Sequence, residues 1–157
     1  MGSWRVVTGA PALLGWGVKD SSVLDNLRQA THAAHKALED QADVEARLRD
    51  PARRGRMVAA LLDMHAGAEA ALTPWGEGLQ GLDIPPADRS AALRIDVQAL
   101  GGEGVTPARA TVTDLGQALG WTYVIEGSAL GGRVMLKRMR ATDVELTGLR
   151  HLDLHGD

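Results

Sequence analysis

From Ser22 onward, apolar side chains return every three to four residues along nearly the whole chain. Nowhere do they alternate over a useful length, apart from a weak VVT near the start. A period near 3.6 puts them on one stripe of a helix, whereas a half-buried strand needs a period of two. The expected fold is therefore all-α. Ser21 or Ser22 can cap a first helix that runs to about Leu48. Asp50 and Pro51 supply the cap and first-turn proline of a second, reaching Leu72. A glycine- and proline-rich loop, TPWGEGLQGLDIPP, follows. A third helix, ADRSAALRIDVQAL, stops at Gly101-Gly102, and a long fourth begins near Thr113 and ends near Arg140. The segment from Thr142 to Leu149 has room for a last helical turn or two. No internal repeat is present.

The 157 residues, 45% of them hydrophobic, make one domain with a real core. A net charge of -3 gives no reason to expect nucleic acid or an anionic membrane as partner. With no cysteine, a disulfide frame and a thiolate metal site are both excluded. No apolar run reaches the roughly 20 residues of a membrane span. Residues 1–20 lack the clean apolar run and cleavage site of a signal peptide, so a loosely packed extension or an upstream start codon is expected there. The domain is then 21–157, in the cytoplasm.

Two histidines face inward. On a helical wheel Leu24, Leu27, Ala30, Thr31, Ala34, Leu38 and Ala42 share one face of the first helix, with His35 at its edge and His32 among the polar residues. A core histidine with a satisfied hydrogen bond is the bland reading of His35, and a metal or heme-iron ligand the sharper one. His65 lies on an apolar face of the second helix without a partner at ligand spacing, as a core or cavity-lining residue would.

The fourth helix carries glycines where helices avoid them. Gly116, Gly120, Gly127 and Gly131 fall within an arc of about 60°. Together they forfeit roughly 3–4 kcal/mol of helix propensity, which something must offset. A seam of close helix packing would do so, and so would a flat ligand lying against bare backbone. The pair Gly131-Gly132 also invites a kink. Arg133, Lys137, Arg138 and Arg140 suit the end of a helix dipole and could equally hold ligand carboxylates. A nucleophile elbow, a phosphate loop and the paired Glu-x-x-His of a di-iron bundle are all missing.

Two segments, LRQATHAAHKALE and LGWTYVIEGSALGGRVM, resemble the proximal and distal helices of heme oxygenases, especially the bacterial type associated with bacteriophytochromes. The similarity spans roughly Val23 to Met139. It implies an all-α multi-helix fold with heme between the first and distal helices, in a chain that is short at its C-terminus. His35 would be the proximal iron ligand, and Arg28, two turns earlier, would sit beside a heme propionate. Gly127 and Gly131 would let the distal backbone approach the heme, with Tyr123 nearby and Glu126 in a structural or hydrogen-bonding role. Ser128 stands where many members carry an aspartate that holds a proton-delivering water. A hydroxyl can orient water but anchors it less firmly. The implied activity is cleavage of heme, both cofactor and substrate, to biliverdin, carbon monoxide and ferrous iron. It would use molecular oxygen and electrons from a separate reductase or ferredoxin, and a phytochrome system could use the biliverdin. A non-catalytic heme binder on the same fold is the alternative, and an all-α interaction module with a glycine packing seam is a third reading.

Overall fold

The structure, a computed structural model, describes residues 21–84, 88–103, 106–107 and 109–153. The expected N-terminal extension, residues 1–20, lies outside the described residues. All regular structure described is helical: α1 (Ser21–Ala42), α2 (Val44–Arg49), α3 (Pro51–Leu72), α4 (Gly76–Gln80), α5 (Arg89–Ala99) and α6 (Leu115–Arg140). Single 3-10 turns lie at Thr73–Trp75 and Arg150–Asp153. No helix among the described residues is long and apolar enough to cross a membrane. The chain divides into two compact units, Met1–Asp43 and Val44–Asp157.

The first helix is shorter than its apolar spacing suggests. It stops at Ala42 because Asp43 takes φ 41°, the left-handed conformation that terminates helices and that aspartate tolerates better than most residues. The Asp43 amide closes the end by donating to Glu39 O at 2.9 Å. Helix α2 then starts afresh at Val44, where the sequence reading continued α1 to Leu48.

In the second unit α2 packs on α3, α3 lies along α5, and both α3 and α4 meet α6. One apolar cluster joins Leu48, Val58, Leu62, Leu93, Val97, Leu136 and Met139, and another joins Leu72, Leu79, Ile84, Ala118 and Ile125. The buried positions of α6 (Ala118, Thr122, Ile125, Gly132, Leu136 and Met139) recur at three- and four-residue steps, so one face of that helix serves both clusters. The chain beyond α6 is a run of turns ending in the 3-10 turn, whose Leu152 lies against Gly132. Gly148 holds φ +75° in that run, where a Cβ would come within 2.5 Å of the Leu100 side chain, so a glycine is required.

Caps set the starts of the main helices, and not all of them are local. Asp50 accepts from the Ala52 amide at 2.9 Å and Asp114 from the Gln117 amide at 2.8 Å. Asp88, preceding α5, makes no such bond. Glu69 of α3 takes its place, accepting from the amides of Arg89 and Ser90 at 2.8 Å each and from the Ser90 hydroxyl. A carboxylate at a helix N-terminus satisfies orphan donors and suits the dipole, here from another helix.

Candidate functional site

Helix α6 presents two faces of opposite character. Opposite its buried positions run Gly120, Tyr123, Val124, Gly127, Leu130, Gly131 and Val134, all exposed. A Cβ built at Gly120, Gly127 or Gly131 meets nothing within 4 Å. Among the described residues of the second unit none therefore packs into these three positions, and a packing seam between those residues does not account for them. Gly116 differs, because its Cβ would lie 3.1 Å from Oδ1 of the capping Asp114. Gly132 differs more. It is buried, and a Cβ there would sit 3.2 Å from Leu152 Cδ2, so its small size admits the 3-10 turn. The glycines thus separate into an open set and a packed one. The pair Gly131-Gly132 produces no break, since α6 is helical without interruption from Leu115 to Arg140.

The open face is apolar in its side chains as well. Val124, Leu130 and Val134 are each more than half exposed, and Tyr123 is 45% exposed. Four such residues around bare glycine backbone form a contiguous apolar strip, which marks a binding surface better than scattered exposed residues do.

Ser128 sits at the edge of this face, one residue past Gly127. Its hydroxyl donates to Ile125 O at 2.6 Å and accepts from Arg89 Nη1 at 3.1 Å. Arg89 comes from the first turn of α5 and is 6% exposed. Burial pulls its pKa below the usual arginine value, while the negative charges of Glu126 and Glu69 oppose the shift. The arginine stays charged at neutral pH. Sequence reasoning missed this residue, because 39 positions separate it from Ser128 and nothing in either segment announces the contact.

On α1, His35 and Arg28 lie seven residues apart and so nearly eclipse one another along the helix. His35 Nδ1 faces Glu39 Oε1 at 3.5 Å, and Arg28 Nη1 lies 3.4 Å from Asp25 Oδ1. An imidazole whose Nδ1–H is directed at a carboxylate keeps the Nε2 lone pair for a metal, the arrangement that metal-ligating histidines commonly adopt. The predicted site residues therefore fall into two sets. His35 and Arg28 belong to the first unit, and Tyr123, Gly127, Ser128 and Gly131 to the second.

Other candidate groups are occupied by structure. His65 is buried with 4% exposure, and burial, reinforced by the Arg89 and His151 charges, pushes its pKa down to about 4. It is neutral at physiological pH. Of the basic residues at the end of α6, Arg138 pairs with Glu45 and Arg140 with Asp153 at 2.8 Å. A cleft of about 470 Å³ borders Glu69, Leu79, Ser90 and Thr122, but its carboxylate is the one that caps α5. Among the described residues no group of three or more histidines and carboxylates is placed to hold a metal ion.

No family profile, curated protein or solved structure matches this chain.

Proposed function

We propose that this protein is a heme oxygenase that opens heme to biliverdin, carbon monoxide and ferrous iron in the cytoplasm. Oxygen and electrons from a separate reductase or ferredoxin would complete the reaction, and a phytochrome system is a fitting consumer of the biliverdin. The reading starts from the resemblance of two segments. The observation that carries it is the open glycine face of α6, where three missing side chains leave backbone and apolar neighbours exposed along one stripe. A porphyrin is flat, apolar on its faces and wide enough to cover such a stripe. Close packing among the described residues of the unit offers no competing explanation for Gly120, Gly127 and Gly131.

Bound heme supplies the iron at which oxygen is reduced and the porphyrin edge that is oxidised. The chain's own residues have separable tasks in this reading. His35 would bind iron through Nε2, with Glu39 fixing its tautomer from the other side of the ring. Arg28 would neutralise a heme carboxylate, a guanidinium being well shaped for that. Gly127 and Gly131 would bring backbone close to the porphyrin, and Tyr123 would pack at its margin.

Ser128 favours a second reading, a heme-binding protein without turnover. Its single hydroxyl proton is given to Ile125 O and one of its lone pairs is taken by Arg89. An aspartate at that position would have more acceptor sites to spare for a water.

Hemin titration followed by reduction separates the readings. Both heme readings require a Soret shift at one-to-one stoichiometry. Biliverdin absorbance after addition of ascorbate or ferredoxin is expected for the oxygenase and not for the carrier. No Soret shift at all would leave the glycine face as a protein-interaction surface. His35→Ala should abolish the histidine-ligated spectrum with helical content nearly unchanged, whereas His32→Ala should leave the spectrum intact.

A further inference from the structure

A cleft of about 470 Å³ opens between α3, the short helix α4 and the first turns of α5. Proteins hold small organic ligands in pockets of this size. Its apolar wall is aliphatic, made by Ala66, Ala70 and Leu72 of α3, Leu79 of α4, and Ile84. No aromatic ring lines it among the described residues, so it favours an aliphatic body over a flat ring that would stack. The α6 residue that borders it is Thr122, which belongs to the buried face of that helix and not to the open glycine face.

Two charges line the cleft, and they differ in what they can offer a ligand. The Glu69 carboxylate accepts from the Arg89 and Ser90 amides and from the Ser90 hydroxyl, so it is directed into the first turn of α5. The other charge is Arg94, the one cation among the described residues of the lining. Its Nη1 donates to Ser90 Oγ at 3.0 Å, and because Ser90 also lines the cleft this bond keeps the guanidinium at the cleft wall. Arg94 is exposed, so it stands at the mouth. Surface partners of an exposed arginine contribute little, and a carboxylate that an apolar body holds beside it competes well against them.

We propose that this cleft binds a small aliphatic monocarboxylate, with its chain against Leu72, Leu79 and Ile84 and its carboxylate on Arg94. The site is separate from the glycine face and does not depend on the heme reading.

The test uses the full chain without hemin, titrated calorimetrically with octanoate, 1-octanol and octylammonium. Octanoate should saturate at one-to-one stoichiometry and bind about tenfold more tightly than the alcohol or the cation of the same chain length. Arg94→Gln should lower octanoate affinity about tenfold and leave 1-octanol binding unchanged. Ala70→Trp, at an exposed position of the lining, should fill the cleft and abolish binding of both. Wild-type protein without saturable octanoate binding overturns the proposal, and so does equal affinity for octanoate and 1-octanol. Displacement of octanoate by hemin, one for one, would put the acid on the glycine face and overturns it as well. Failure of hemin to bind removes the heme reading and leaves this site standing. Should Ala70→Trp not fold, amide resonances of the wild-type protein decide: octanoate must shift those of Leu79, Ser90 and Thr122, and shifts confined to other residues overturn the assignment.

Discussion

Asp96 and His151 form a buried pair that ties the end of the described chain to α5. Asp96 Oδ2 lies 2.8 Å from both Nδ1 and the backbone N of His151, and Oδ1 accepts from the Arg150 amide at 3.0 Å. The carboxylate thus caps the 3-10 turn that brings Leu152 against Gly132. Burial alone would raise the Asp96 pKa, but the hydrogen bonds from His151 and Arg150 outweigh it and hold it below its ordinary 3.8. A depressed carboxylate contributes stability that is present above pH 3.8 and lost as pH falls through its lower folded value. Asp96→Ala leaves two buried donors of His151 and the part-buried Arg150 amide unpaired and should cost about 3–5 kcal/mol in urea unfolding near neutral pH. Asp96→Asn, which keeps one acceptor oxygen, should cost clearly less. Equal losses in the two variants would argue against the hydrogen bonds as the source.

His65 gives stability a pH dependence of its own. With a folded pKa of about 4 against an ordinary 6.5, it binds its proton more readily in the unfolded chain. Stability from this group is therefore fully present above pH 6.5 and lost as pH falls toward 4. The loss is on the order of 1–3 kcal/mol. His65 Nδ1 is buried without a hydrogen-bond partner, so an apolar residue there sacrifices little. His65→Leu should flatten the decline between pH 6.5 and 4 while matching or exceeding wild-type stability at pH 5. Melting temperatures across that range check it, and an unchanged slope would place the acid sensitivity elsewhere.

Arg54 shows that the two ends of an ion pair need not matter equally. It is 2% exposed, donates from Nε to Leu48 O at 2.6 Å, and from Nη1 reaches Glu145 at 2.8 Å and Thr147 O at 3.1 Å. Arg54→Met keeps the stem but strands those carbonyls, for an expected loss of about 2–4 kcal/mol. Glu145 is mostly exposed, so Glu145→Gln should leave the urea midpoint close to wild type. A larger loss from the glutamine would mean that the charge, and not the carbonyl bonds, holds this corner.

Helical spacing alone revealed α3, α5 and α6 close to their observed ends, because Pro51, Gly101 and the apolar faces act locally. The break at Asp43 was not legible, since nothing in the neighbouring pattern interrupts the apolar stripe. The short helix α4 was hidden for a different reason: it forms in a segment whose glycines and prolines read as loop. The candidate site divides in the same way. The open positions at Gly120, Gly127 and Gly131 follow from their angular placement on one helix. Gly132 falls off that arc, but its packing role was not legible, because its neighbour is Leu152, on a turn whose path no periodicity reveals. Glu69 as the cap of α5, Asp96 beside His151 and Arg89 at Ser128 are likewise contacts across 20 to 55 residues, invisible to local reasoning.

Gly131 and Gly132 are neighbours with opposite expected responses, which makes them the sharpest test of the α6 face. Gly131→Leu places a side chain where the unit has open space, so strain is absent and helix propensity improves by up to about 1 kcal/mol. Without heme the variant should melt at or above the wild-type temperature. Gly132→Leu instead drives into Leu152, 3.2 Å from where its Cβ would stand, and should lose about 1–3 kcal/mol by overpacking. Hemin should then expose the cost at Gly131. A leucine on the face that the porphyrin covers competes for the same volume, weakening hemin binding about ten- to hundredfold. Thermal melts and Soret titrations on both variants measure the four quantities. A Gly131→Leu protein that is strongly destabilised without heme, yet binds hemin as tightly as wild type, would show that the face is a packing surface and remove the structural support for heme there.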